Sequence, residues 1–241
     1  MLSGLLGRKL GMTQIFDNDG NVIPVTLVEA GPCTVLELKE NPLKVKLGFE
    51  NAKESLITKP WAGYFKKLNI GAKKVIREFA SSDNKDYQVG ADVTAELFKA
   101  GDYVDVSGVS IGKGFQGGMK RHHWAGGPGG HGSMHHRRVG SIGMSAYPSR
   151  THRGKTMPGH MGDARVTVQG LRVMLVQPDK NLIAVKGAVP GGKNALLEIR
   201  ISRKKKFQSL VEKKAVIQHK VNPMKQAKKA AGAKKGGAKK K

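Results

Sequence analysis

The stretch from Gly112 to Arg165 has a composition that no packed core tolerates. Glycines recur in it (Gly112-Lys113-Gly114-Phe115-Gln116-Gly117, then Gly126-Gly127-Pro128-Gly129-Gly130), and it holds seven of the chain's eight histidines: His122, His123, His131, His135, His136, His152 and His160. Nine basic side chains stand against one acid, Asp163. Glycine loses much backbone freedom on folding and contributes no apolar side chain, so this segment has little with which to offset its own ordering. A structureless loop longer than about 15 residues is rare inside a compact domain, and is usually functional or disordered. The surface this loop meets therefore decides what the protein does.

The formal net charge of +25 is unevenly placed. Residues 1–111 carry fourteen basic and fourteen acidic side chains, whereas 112–165 contribute +8, 166–202 +3 and 203–241 +14. A neutral body with basic appendages suits a polyanionic partner, because lysine and arginine bound to phosphates release condensed counterions. Cys33, the only cysteine, lies in the strand-like run Gly31-Pro32-Cys33-Thr34-Val35-Leu36 and reads as a buried, inert thiol. One cysteine excludes an internal disulfide framework and fits a reducing compartment. No apolar run nears the roughly 18 residues of a membrane span, and the first residues lack the pattern of a secretory signal. A cytoplasmic protein with no membrane partner is expected.

Apart from the loop, the chain reads as short strands and tight turns. Met12 to Phe16 and Asn21 to Ala30 flank a hairpin turn at Asp17-Asn18-Asp19-Gly20; Cys33 to Leu38, Lys44 to Phe49 and Tyr103 to Val109 continue the pattern. Between them, Trp61 to Leu68 suits a short helix and Val93 to Phe98 a single turn. After the loop come Val166 to Gln169, Leu171 to Val176, a turn at Pro178-Asp179, Leu182 to Lys186 and Ala195 to Ile201. The expected class is mainly β with some α: an antiparallel β-barrel from residues 1–111 and 166–202, with a mixed insertion at about 50–100. The extended loop at 112–165 and a basic, largely disordered extension at 203–241 complete it. In that extension Phe207, Leu210, Val211, Ala215 and Ile217 have the spacing of a marginal helix.

Enzymatic readings of the loop fail on context. Gly112 to Gly117 satisfies G-x-G-x-x-G, but the dinucleotide fingerprint must open a helix and be followed by an acid about 20 residues on. Here the continuation, Gly118-Met119-Lys120-Arg121-His122-His123-Trp124-Ala125-Gly126-Gly127, reads as helix-breaking, and His135 to Arg138 occupy the acid's place. His131, His135 and His136 have tempting spacing for zinc, yet no thiolate and only Asp163 could join them, among many cations. Val139 stands where a nucleophile elbow around Ser141 needs glycine. No catalytic residue, metal or cofactor is expected.

One reading unites these features. Lys113, Lys120, Arg121, Arg137, Arg138, Arg150, Arg153, Lys155 and Arg165 can pair with phosphates, the arginines bidentately. Phe115, Trp124, Tyr147, His131, His136 and His160 can stack on unpaired bases or fill RNA grooves. No recognition helix for a DNA major groove is visible, so structured RNA is the expected partner and DNA is not.

The residues also resemble a known family. Gly4-Leu5-Leu6-Gly7-Arg8-Lys9-Leu10-Gly11-Met12-Thr13-Gln14-Ile15-Phe16 is similar to the opening of ribosomal protein L-three of the large subunit, bacterial type. The likeness continues in Thr58-Lys59-Pro60, in Gly112 to Gly117 with Lys120-Arg121, and in His131-Gly132-Ser133 with His136-Arg137. It runs on through Gly140-Ser141-Ile142-Gly143, Gly159-His160-Met161-Gly162, Arg165-Val166-Thr167-Val168-Gln169 and Val185-Lys186-Gly187-Ala188-Val189-Pro190-Gly191. The resemblance implies a barrel like that of translation factors, with a loop running through ribosomal RNA toward the peptidyl transferase centre. It implies early binding to the 3′ part of large-subunit RNA, with ribosomal proteins of the L-fourteen and L-nineteen types as neighbours. Met144 to Pro158 would lie nearest the catalytic RNA, and Lys113, Phe115, Lys120 and Arg121 would clamp RNA at the loop's base. Gln116 and Ser141, within the matching motifs, join the candidate RNA-binding set. Two departures stand out: Ala146 replaces a glutamine that is methylated in some bacterial relatives, and the lysine-rich tail exceeds the usual bacterial ending.

Overall fold

A computed structural model describes residues 2–17, 20–82 and 87–210. The chain opens with the long strands β1 (Gly4–Phe16) and β2 (Val22–Ala30), then β3 (Cys33–Lys39) and β4 (Lys44–Asn51). Helix α1 (Lys59–Leu68) leads into β5 (Lys73–Ala80), β6 (Asp92–Val93) and β7 (Tyr103–Val109). Within the loop lie β8 (Phe115–Gln116), α2 (Gly118–His122) and β9 (Gly159–His160), and the chain returns through β10 (Arg165–Gln177), β11 (Leu182–Lys186) and β12 (Leu196–Ile201).

Six strands close into a barrel in the order β1-β12-β7-β10-β11-β2, each neighbouring pair antiparallel. Strand alternation supplies its core. Val104 and Val106 on β7, Ile183 and Val185 on β11, and Leu197 and Ile199 on β12 are buried inward, while Asp105, Ser107, Glu198 and Arg200 share the opposite face. A second sheet, β5-β4-β3-β6, adds Val35, Val45, Leu47, Phe49 and Phe79 to the same apolar cluster. The barrel and this sheet thus share one core, giving the loop a rigid base.

The local outcomes have local causes. Pro60 stands at the start of α1, where its missing N–H costs nothing; Asn69 closes the helix at φ 53°. Val166–Gln169 and Leu171–Val176 prove to be one strand, β10. Gly170 (φ 68°) lets the register against β7 slip between Val168 and Leu171 without ending the pairing. β5 is the strand hidden in the mixed stretch: it is the edge of the second sheet, paired with β4, and its charged residues suit an edge with one buried side chain, Phe79. The expected turn after Phe16 falls partly on Asn18 and Asp19, outside the described residues. The expected tail helix also lies largely outside them, beyond Leu210. The compact unit ends at Gln208, past the expected boundary at Ser202.

Candidate nucleic-acid interface

The loop leaves the barrel as a narrow two-armed stem. Val109 faces Arg165 in the β7–β10 register. Beyond that rung Ser110 N–H donates to the Ala164 carbonyl (2.9 Å), Lys113 N–H to Met161 (2.8 Å) and Met161 N–H to Gly114 (2.9 Å). The rungs end at Phe115 opposite His160 and Gln116 opposite Gly159. Close backbone approach demands glycine at 162: φ is 79°, and a Cβ there would lie 2.2 Å from the Ile111 carbonyl oxygen.

Past the stem the arms are tied by side chains. α2 forms where the sequence reads as helix-breaking. It is a single turn of five residues, closed by His123 at φ 56°, with Trp124 folded against Gly118. Arg121 Nη1 donates to the Met157 carbonyl at 2.8 Å, and His122 Nε2 lies 3.0 Å from the same oxygen, which requires its proton on that nitrogen. His122 and Trp124 stack with ring centroids 6.2 Å apart. Further out, Gly127 N–H donates to the His136 carbonyl (2.8 Å), and His136 Nδ1 approaches the Pro128 carbonyl (2.8 Å).

Across residues 112–165 only Gly118 is buried. Polar ties hold the segment's shape, and its chemistry faces outward. Lys113, Phe115, Lys120, His131, Arg137, Arg138, Arg150, Arg153, Lys155 and His160 are exposed. Other expected contacts are partly committed within the chain. Arg121 braces Met157, the Gln116 amide donates to the Lys113 carbonyl, Ser141 Oγ donates to the Gly143 carbonyl (2.8 Å), and Trp124 is half-buried. Arg165 reaches Glu198 on the barrel wall, Nη2 to Oε2 at 2.5 Å. At the tip, residues Ser141 to Ser145 and Ser149 to Thr151 line an open depression of about 460 Å³. Met134 and Tyr147 stand 89% exposed and Met144 70%, as bare apolar surface. Met134 and Met144 are not in the expected contact set; the signal was their presence in a segment with no apolar periodicity, which leaves them no core to enter.

Cys33 is buried beneath the barrel wall, where desolvation pushes its thiol up to about 12. Among the described residues no three His, Cys, Asp or Glu side chains are grouped to hold a metal ion, and no helix is long and apolar enough to cross a membrane.

A family model described as Ribosomal protein L3 matches residues 66–181. Large ribosomal subunit protein uL3 of Brachyspira hyodysenteriae is 48% identical over 207 residues, covering 84% of this chain and 95% of that protein. The chain belongs to the uL3 family. Its relative of the same name in Syntrophotalea carbinolica is 52% identical over 209 residues, covering 85% of this chain and all of the other. Syntrophomonas wolfei carries another, 48% identical over 206 residues, with 84% and 97% covered. The family match spans the whole stem and tip.

Proposed function

We propose that the protein is a structural constituent of the large ribosomal subunit that binds ribosomal RNA through the segment 112–165. One observation carries this reading: a cation-rich segment in which, apart from Gly118, no residue is buried, so that most of its side chains face outward rather than into a core. Bare Phe115, Tyr147 and Met144 among arginines suit unpaired bases and RNA grooves, and the near-absence of acid removes repulsion from phosphate. The barrel, of the translation-factor type by resemblance, would anchor the stem while the tip at Met144 to Pro158 reaches toward the peptidyl transferase centre. Binding early in assembly beside proteins of the L-fourteen and L-nineteen types follows from the family's resemblance. Arg165 and Arg121 position the stem as well as meeting RNA, since each is engaged within the chain. Sedimentation through sucrose gradients tests the role. The protein is expected in large subunits and in translating ribosomes; its presence only in immature subunits would make it an assembly factor that leaves.

A further inference from the structure

A second concentration of arginine lies on the barrel's outer wall, beside the root of the loop. Arg165 on β10, Arg77 on β5 and Arg200 on β12 converge on one carboxylate, Glu198. Arg165 Nη2 lies 2.5 Å from Oε2, Arg77 Nε 3.1 Å from Oε1, and Arg200 Nη2 3.4 Å from Oε2. The Glu198 side chain is 9% exposed, whereas the three guanidinium side chains are 42–61% exposed. The acid is thus the floor, and the cations turn their outer edges to solvent. Strand register builds this arrangement: Thr167, Ser107 and Glu198 form one row across β10, β7 and β12, with Asp105 opposite Arg200 in the next. Ser107 and Thr167 hydroxyls lie 2.8 Å apart. Asp105, Ser107, Arg165, Thr167, Arg200 and Arg203 line a cleft of about 300 Å³ beside this cluster.

The cleft's own charges do not close. Three arginines (Arg165, Arg200, Arg203) line it against one acid, Asp105, and Asp105 Oδ1 is taken by the Gly170 N–H at 2.7 Å; Glu198, which Arg77 shares, lies outside the lining. Each guanidinium carries five N–H donors, while one carboxylate offers about four acceptor sites. Arg200 Nε is buried with no hydrogen-bond partner. Such a surplus of forked donors, with two hydroxyls beside it, is complementary to a phosphate with several free oxygens. Asp105 at the same cleft opposes a doubly charged terminal phosphate more than a singly charged diester.

We propose that this cleft holds one phosphodiester of the RNA backbone, where the strand that follows the loop's root crosses the barrel wall. The assignment rests on the RNA-binding reading above and extends it to the β10–β7–β12 face. Its test is the salt dependence of affinity for large-subunit ribosomal RNA, measured on the full chain. The pair Arg165→Gln with Arg203→Gln is expected to lower the slope of log K against log salt by about 0.7–0.9, the loss of one phosphate contact. An unchanged slope overturns the proposal. Arg203 is exposed and holds no hydrogen bond or ion pair among the described residues, so Arg203→Gln alone keeps the test open should the pair unfold. It is expected to weaken binding at low salt and not at high salt, with Arg203→Lys restoring it; no change overturns the proposal. A loop set, Arg150→Gln, Arg153→Gln and Lys155→Gln, separates the two claims. A slope that falls for the loop set alone removes the cleft and keeps the RNA reading, whereas no fall in either set removes both. Inorganic phosphate at matched ionic strength is the remaining arm. Thermal stabilisation by phosphate that the pair abolishes, with an unchanged RNA slope, would give the cleft to free phosphate and overturn it as an RNA contact.

Discussion

Cys33 shows what burial does to a lone reactive group. The neutral thiol donates to the Leu6 carbonyl at 3.6 Å, and desolvation, with Asp92 nearby, disfavours the thiolate. Its folded value of about 12 lies above the ordinary 9.0, so folding favours the protonated form. The stabilisation tied to that proton is complete below about 9 and is lost as pH climbs toward 12. Native protein is therefore expected to resist a thiol reagent at pH 8, with labelling that follows unfolding by denaturant; rapid stoichiometric labelling of the native chain would refute this. The inert thiol was legible from its apolar neighbours in sequence. The partners of Arg121 and Arg165 were not, because Met157 and Glu198 lie 36 and 33 residues away and only the stem and the strand register bring them together. The half-buried pair Lys46–Glu37 makes the converse point. The ammonium holds the Glu37 carboxyl below its usual range, yet solvent still reaches the pair and screens it, so its contribution to stability is small.

Among elements, α2 is the most instructive. A five-residue helix is too short to persist on propensity, and its glycine-rich surroundings oppose it. It forms because Gly118 leaves room for the Trp124 ring, which a Cβ at that position would meet at 2.1 Å, while Arg121 and His122 pin the opposite arm. Local composition cannot report a tertiary fit, which is why the sequence points to a break there. The same limit hid β5, whose edge position asks for a single buried residue. It also made β10 look like two strands, because Gly170 reads as an end and acts as a bulge. Gly118→Val is expected to expel Trp124 and shift its emission to the red, most simply read in a Trp61→Phe background. The barrel's melting temperature should stay within about 2 °C, since the loop shares no core with it. An unmoved spectrum would mean that Trp124 is not held by this contact.

For the whole molecule, charge and packing draw the boundaries in different places. Lysines accumulate from Arg203 onward, so composition sets the end of the folded part at Ser202. Packing carries it further. Gln208 N–H donates to the Gly101 carbonyl (3.3 Å), its carbonyl accepts from Arg172 Nη2 (3.1 Å), and its side-chain oxygen accepts from the Tyr103 hydroxyl (3.1 Å). Lys205 Nζ sits 5.0 Å from the centre of the Tyr103 ring. These residues use polar groups and a cation–π contact in place of apolar burial, so hydropathy does not register them. They also complete the turn before β7, at the end of that strand opposite the one from which the loop leaves. Truncation after Leu210 is expected to leave thermal stability unchanged. Truncation after Ser202 removes these three hydrogen bonds, the one from Lys205 Nζ to the Gly170 carbonyl (3.4 Å) and the cation–π contact, and should cost about 2 kcal/mol, several degrees in melting temperature for a domain of this size. Equal melting temperatures for the two truncations would return the boundary to Ser202 and leave the Gln208 contacts without energetic weight.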